Sequence, residues 1–513
     1  MALRQWRRSN CGVAWLAALA QCNDITDHDD NSTDMTTVRL HNTLTNKIEA
    51  LGTLRASEVR IYTCGPTVYD FAHIGNFRTF MFQDILRRFL ASQGYRVLQV
   101  MNLTDVDDRI IQKAAAAKVT IREYTEKYIE AFLADMRALG LEMPEEIVRA
   151  TDHIEDMVAL IERLQKKGLT YTSEGSIYYS IAKFPTYGRL SKIDVSGMQS
   201  GARVDVDRYD KADARDFALW KAPKPGEHFW ETRIGAGRPG WHIECSAMSM
   251  KYLGETLDIH TGGVDLAFPH HENEIAQSEA ATGKPFVKMW LHAEHLLIDG
   301  EKMSKSLGNF YTLRDLFAKG QKPSSIRFLL LSVPYRRQLN FTDDGLRQAE
   351  NSVERLRTFL TRAKTEKFAA GETPEMDRRI AKAETDFDAG LADDLNTAVA
   401  LAALFDLVRD ANSAMDRGEF RQQDAMRLIA ALEKFDRVLA LFENDDAEKL
   451  ARLGFGPAQA GPDDEQVQIL VDERQASKKR RDFQRADEIR KQLADSGIIL
   501  EDKRDGSVLW KRK

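Results

Sequence analysis

The pattern of apolar and polar positions divides the chain into two kinds of territory. The run Val59-Arg60-Ile61-Tyr62-Thr63-Cys64 reads as a buried strand. Past a turn at Gly65-Pro66, the residues Phe80, Ile85, Leu86, Phe89 and Leu90 recur at helical spacing until Gly94 ends the run, and residues 95–103 read as a second strand. Strand, helix, strand is the unit of a doubly wound parallel sheet, whose crevice lies at the carboxyl ends of the strands; Cys64 and the turn at His73 fall there. Asp105, Asp107 and Asp108 read as the favourably charged start of a helical region over residues 108–170, interrupted near 140–144. Short alternating strands and Gly/Pro-rich turns follow over 170–235 and read as an insertion. The parallel-sheet pattern resumes at 241–245, 256–260 and 262–265, with another strand near 296–299. Beyond residue 335 the apolar period lengthens. Segments 346–360, 381–387, 397–415 and 426–442 carry apolar residues three and four apart, which predicts an antiparallel helical bundle. A Gly/Pro/Asp-rich loop over 454–464 marks the next boundary.

Composition narrows the class. A chain of 513 residues with 30% charged and 9% aromatic residues has length for about three domains and the means to bury cores. Mean hydropathy is -0.43, and no apolar run approaches the roughly 18 residues of a membrane span. Net charge is -6, so a nucleic-acid partner has to be met by a local basic surface. Such a surface is at the end: residues 472–513 hold 13 Lys/Arg against 9 Asp/Glu. Four cysteines in so long a chain do not make a disulfide framework and favour a reducing compartment. Residues 1–34 stand apart. Arg4, Arg7 and Arg8 precede a short apolar run ending Ala18-Leu19-Ala20, the outline of a secretory leader, but Met35 opens a segment with strand signals. Residues 1–34 are therefore read as a mis-started or disordered extension, and the chain as cytoplasmic.

The candidate chemistry centres on Phe268-Pro269-His270-His271-Glu272-Asn273-Glu274. In a helix, His270 and Glu274 lie one above the other and aim an imidazole and a carboxylate at a common point. Cys64 and Cys245, in tight Gly/Pro/Trp contexts, could add two thiolates to make a zinc site. Alone, an HxxxE pair is more often a solvated helix face. His271 and Glu272 fall on other faces of a regular helix and are left out.

Five motifs raise the reading. His73-Ile74-Gly75-Asn76 opens a helix after the first strand, and Lys302-Met303-Ser304-Lys305-Ser306 comes late in the same sheet. Together they resemble the two signatures of class I aminoacyl-tRNA synthetases. Cys64-Gly-Pro-Thr-Val-Tyr-Asp70, Gly240-Trp-His-Ile-Glu-Cys245 and Phe268-Pro-His-His-Glu-Asn-Glu274 resemble the cysteinyl-tRNA synthetase family within that class, from about Val38 to the C-terminus. One departure is Asn76, where the class signature usually closes on His.

The resemblance implies an α/β fold: a Rossmann-like catalytic domain over 35–335 with an inserted connective-peptide domain at roughly 108–235, a helical bundle over 336–460, and a small basic anticodon-binding domain over 461–513. It implies an enzyme that ligates L-cysteine to tRNA(Cys) through a cysteinyl-adenylate, using ATP with Mg2+ and one Zn2+ that reads the substrate sulfur, and acting as a monomer. Cys64, Cys245, His270 and Glu274 become the metal ligands. Thr67 and Trp241 line the substrate pocket, and Trp510 offers a ring to an unpaired anticodon base. His73, Gly75, Asn76, Gly262, Gly263, Asp265 and Lys305 meet ATP, with His73, Lys302 and Lys305 catalytic. The physics agrees: adenylation needs alignment and charge neutralisation more than a protein nucleophile, and a helix N-terminus with lysines on a mobile loop supplies both. Two rivals stand beside it, a ligase of this fold that passes activated cysteine to an amino sugar and a zinc-stabilised tRNA-binding paralogue without catalysis.

Overall fold

The computed structural model describes residues 37–193, 216–304, 307–455, 464–480, 482–502 and 508–512. The extension read over 1–34 and Lys305 of the lysine loop lie outside the described residues. Strands β1 (Arg39–Asn42) and β2 (Lys47–Ala50) form an antiparallel hairpin. The central sheet is then built from β3 (Glu58–Thr63), helix α1 (Ile74–Ser92), β4 (Arg96–Leu103), α2 (Asp108–Ala117), α3 (Ile121–Ala138) and β5 (Glu146–Arg149). After α4 (Ile154–Lys166), strands β6 (Thr170–Ser173), β7 (Ser176–Tyr179), β8 (Phe217–Lys221) and β9 (Arg238–Pro239) make a separate antiparallel sheet. Helix α5 (Trp241–Leu253), β10 (Leu257–Gly263), α6 (Glu272–Thr282) and β11 (Val287–Ala293) return the chain to the first sheet.

That sheet has the order β11-β10-β3-β4-β5, with every neighbouring pair parallel. The chain leaves β3 towards β4 on one side and comes back to it through β10 on the other. The crevice between the carboxyl ends of β3 and β10 is thus the switch point where such sheets bind ligands. Helix α1 starts there because His73 caps it: the His73 Nδ1 accepts from the Asn76 N–H at 3.2 Å, and the Asn76 Oδ1 accepts from the His73 N–H at 3.1 Å.

Two sequence readings need correction. Residues 241–245 are the first turns of α5, not a strand; residues 242–249 are buried throughout, so polarity shows no helical face from which to read the period. The stretch 108–170 contains strand β5, so the parallel sheet extends into territory read as helical and inserted. Asp107 does cap α2, accepting from the Ile110 N–H at 2.6 Å, whereas Asp105 is buried against Thr151.

A small sheet of β12 (Leu296–Ile298), β13 (Glu301–Lys302) and β14 (Leu339–Phe341) carries the lysine loop, with α7 (Leu313–Ala318) and α8 (Pro323–Leu331) between β13 and β14. The turn from β12 to β13 is Asp299-Gly300, both at positive φ, as a tight two-residue hairpin requires. The bundle consists of α9 (Asp343–Thr365), α10 (Pro374–Ala392), α11 (Thr397–Asp416) and α12 (Gln422–Leu439), followed by α13 (Asp446–Arg452). One continuous hydrophobic core runs from Val38 to Phe442 and serves both sheet and bundle. Helices α14 (Asp464–Lys479) and α15 (Phe483–Asp495) with the hairpin β15 (Ile498–Asp502) and β16 (Val508–Arg512) enclose a second core of Val467, Val471, Ile489, Leu493 and Ile498.

Candidate metal centre and nucleotide crevice

Cys64 follows β3, Cys245 lies in the second turn of α5, and His270 and Glu274 straddle the start of α6. Residues 267–271 form a wide turn, with Phe268 extended, before regular helix begins at Glu272. Even so, the expected pair meets, His270 Nε2 standing 3.0 Å from Glu274 Oε1. The two sulfurs are 3.8 Å apart, and Cys64 Sγ is 4.0 Å from Glu274 Oε1. One donor atom from each of the four residues lies within 4.8 Å of every other, and all four residues are buried. Sulfurs held tetrahedrally at about 2.3 Å from a zinc ion stand about 3.8 Å apart, whereas a disulfide needs about 2.05 Å. The donor set therefore fits zinc in number, softness and spacing.

Electrostatics point the same way. Burial pushes the Cys245 thiol well up, helped by the neighbouring Cys64 sulfur and by Glu274. Burial also raises Cys64, against a hydrogen bond from Cys245. Burial works against charge on His270, yet Cys245 and Glu274 overcome it and push the imidazole up to about 10. Burial would raise Glu274, but His260 and His270 hold it below its ordinary value. The pocket thus calls for positive charge at its centre, and a cation binding there would displace the thiol protons.

A second set of donors, Cys64, His260, His271 and Glu274, shares two residues with the first. His271 Nε2 lies 3.4 Å from Cys64 Sγ, so it faces the cluster, contrary to the helical reading. It sits in the wide turn, where steps of 100° per residue do not apply. Burial and the surrounding imidazoles depress it far below the usual histidine range. His260 Nε2 is 2.9 Å from Glu274 Oε2, leaving the other oxygen to His270. Behind them His242 Nδ1 meets His270 Nδ1 at 3.0 Å, and His292 Nε2 meets His271 Nδ1 at 2.8 Å. Sequence reasoning missed His242, His260 and His292 and set His271 aside. For His260 and His292 the signal was an imidazole in an apolar strand, as in Leu257-Asp-Ile-His260 and Met289-Trp-Leu-His292, where no solvent accounts for it. Glu272 does face elsewhere: it accepts from the Gly188, Leu190 and Ser191 N–H groups at 2.8, 3.0 and 2.9 Å.

Trp241 is half-buried and stacks on His270 at 4.2 Å between ring centroids, making a wall of the metal pocket. Thr67 is half-buried and bridges to Thr104. Gly262 and Gly263 end β10, and Asp265 is exposed in the short turn after it. The two signature motifs touch: a Cβ on Gly75 would stand 3.0 Å from Met303 Cε, and the Ile74 N–H donates to the Tyr311 carbonyl at 2.9 Å. Lys302 is exposed on β13, and Asn309 ties the loop by accepting from the Ser304 N–H at 2.8 Å. Asn76, at the position where the class signature usually closes on His, uses its side-chain carbonyl to close the cap of α1.

Comparison with known proteins places this arrangement. Residues 50–351 match the family described as tRNA synthetases class I (C) catalytic domain, and residues 386–443 match a DALR domain. The cysteine–tRNA ligase of Koribacter versatilis (strain Ellin345) is 56% identical over 494 residues, covering 93% of this chain and all of the relative. The chain belongs to the cysteine–tRNA ligase family. The cysteine–tRNA ligase of Leptospira interrogans serovar Lai is 45% identical, again over 93% of this chain and all of the relative. As a member of this ligase family, the chain is a class I aminoacyl-tRNA synthetase, an enzyme that uses ATP. The fold agrees: Mycobacterium tuberculosis methionyl-tRNA synthetase in complex with methionyl-adenylate superposes with a TM-score of 0.56 at 16% identity, over 78% of this chain and 95% of that one. Among the described residues no helix is long and apolar enough to cross a membrane.

Proposed function

We propose that this ligase activates L-cysteine with ATP and Mg2+ as cysteinyl-adenylate and transfers it to tRNA(Cys), selecting the amino acid through Zn2+ held by Cys64, Cys245, His270 and Glu274. The observation that carries the reading is the buried quartet of two sulfurs, one imidazole and one carboxylate beside the nucleotide crevice. When bound, zinc supplies a soft site that takes a thiolate directly and leaves a hydroxyl unbound. Trp241 closes that pocket beside His270, and Thr67 lines it.

The chain's own groups do the rest. The N-terminus of α1 turns the positive end of a helix dipole to the polyphosphate. His73 stands at that terminus, Gly75 and Asn76 beside it, and Gly262 and Gly263 face the nucleotide from β10, with Asp265 from the turn after it. Lys302, with Lys305 further along the loop, neutralises charge that builds as pyrophosphate leaves. The basic segment over 461–513 holds the anticodon stem through its phosphates. Trp510 is half-buried, its indole N–H donating to Gln468 Oε1 at 3.1 Å through the ring edge, and its ring stacks on an unpaired anticodon base beside the phosphate contacts. The enzyme acts as a monomer in the cytoplasm, a reducing compartment where the Cys64 and Cys245 thiols stay free to take the metal.

The decisive experiment is pyrophosphate exchange with cysteine or serine as the amino acid. A hydrophobic pocket alone would separate them by about tenfold to two-hundredfold. Serine-dependent exchange at least about a thousandfold lower is expected of metal selection, and comparable rates would sink the reading. His73 is tested by two substitutions. Replacing His73 with Ala removes a helix cap and lowers stability by about 1 kcal/mol, whereas Asn caps as well or better. Both variants are expected to lose about a hundredfold to a thousandfold in adenylation rate. Exchange kinetics alongside urea unfolding separate the two roles; an Asn variant with full activity would reduce His73 to a cap.

A further inference from the structure

The two sulfurs come from segments that each press against a neighbour with no room for a side chain. A Cβ on Gly65, next to Cys64, would stand 1.8 Å from the Asn102 carbonyl oxygen. One on Gly240, which caps α5, would stand 1.9 Å from the Ala218 carbonyl oxygen. Glycine fixes each segment to its own support, but these contacts leave the distance between the two segments open.

A buried chain of side chains closes that distance. The Gly65 N–H donates to Asn102 Oδ1 at 3.0 Å, the Asn102 amide donates to Thr104 Oγ1 at 3.2 Å, and the Thr104 hydroxyl donates to Glu244 Oε2 at 2.9 Å. Glu244 is the residue before Cys245. The backbone of Thr104 meanwhile accepts from the Val68 N–H at 3.1 Å and donates to the Pro66 carbonyl at 3.2 Å. Thr104 therefore holds the Cys64 segment with its main chain and the Cys245 segment with its hydroxyl. Asn102, Thr104 and Glu244 are 1%, 1% and 0% exposed. The second oxygen of Glu244 has no hydrogen-bond partner among the described residues. A buried carboxyl left half-satisfied costs stability, and an apolar side chain would pack there at less expense. Its value lies in position.

We propose that Thr104, with Asn102 and Glu244 on either side, is a positioning residue that sets the separation of the Cys64 and Cys245 sulfurs and so the grip of the site on its metal. The proposal rests on the reading that these thiols hold zinc. Thr104→Val keeps the shape and removes the hydroxyl, leaving Asn102 without its acceptor and Glu244 without its donor. Thr104→Ser restores the hydroxyl. Glu244→Met breaks the same link from the other side.

The test follows zinc release from full-length, zinc-loaded protein into excess chelator without substrates, together with the absorption spectrum of the cobalt-substituted protein. Orienting contacts of this kind are worth about 10- to 100-fold in metal affinity. Release about 10- to 100-fold faster is expected from Thr104→Val and Glu244→Met, with shifted thiolate-to-cobalt bands and near-normal behaviour of Thr104→Ser. A packing role would lower the melting temperature and leave spectrum and release unchanged. Wild-type release with an unaltered spectrum in whichever of Thr104→Val and Glu244→Met folds overturns the proposal. If Cys245→Ser also retains zinc, the metal assignment itself falls, and the two failures are told apart.

Discussion

Cys245→Ser is expected to leave the protein folded, empty of zinc and at least about a thousandfold slower in cysteine-dependent pyrophosphate exchange. Serine is nearly the size of cysteine, and the site is 1% exposed, so packing changes little. The chemistry changes more, because a hydroxyl stays protonated where a thiolate would bind the metal. Three donors would remain, among them an imidazole and a carboxylate that already satisfy each other at 3.0 Å. Without the metal, substrate cysteine carries only a few per cent thiolate at neutral pH and meets a pocket whose shape barely tells it from serine. ATP binding should persist, since the groups proposed for it stand on α1, the lysine loop and the end of β10 with the turn after it, none of them a metal ligand. Metal content and exchange measured on the same preparation check the result. Full zinc occupancy with normal exchange would remove Cys245 from the site.

The largest loss of stability is expected from Arg327→Ala. The guanidinium of Arg327 is buried and donates to Asp84 Oδ2 at 2.6 Å, to the Leu439 carbonyl at 2.6 Å and to the Leu139 carbonyl at 3.0 Å. One side chain thus ties α8 to α1 and to the C-terminal ends of α3 and α12. Burial pulls its pKa down while Asp84 pulls it up, as expected of a charge kept inside by its partner. Removing one member of a buried pair usually costs about 3–5 kcal/mol. The lower end is expected here, because Asp84 keeps Arg88 at 2.9 Å and the Glu142 N–H at 2.7 Å. The Leu439 and Leu139 carbonyls, at helix ends, lose the Arg327 donor outright. Urea unfolding reads the loss as a lower midpoint; removing exposed Arg347 from its pair with Asp344 serves as the control and should leave the midpoint in place. A midpoint equal to that control would show that the buried tie contributes nothing.

How much was legible beforehand follows the physics of each segment. The strand at 59–64, the helix after His73 and the strand before Leu103 were readable because apolar period and turn residues agree there, and the structure places β3, α1 and β4 accordingly. The bundle was readable for the same reason. Segment 241–245 was not, since polarity is silent where all faces are covered, and β5 was hidden behind a four-residue length at the sheet edge. The four expected donors converge, yet the imidazoles of His242, His260, His271 and His292 became apparent only once β10, β11 and the wide turn before α6 were in place. Asn76 looked like a lapse from the signature and is instead half of a reciprocal cap.

The position of β3 has a consequence for how the chain is made. It ends at Thr63, and its partner β10 begins only at Leu257, nearly two hundred residues later. At ribosomal speeds of about 5–20 residues per second, roughly 10–40 s pass between the two. Throughout that interval the side of β3 that β10 will cover keeps its backbone N–H and C=O groups unpaired, the kind of edge that templates pairing with other strands. Slower elongation lengthens that interval and is expected to lower the yield of folded chain, which expression at different elongation rates would check.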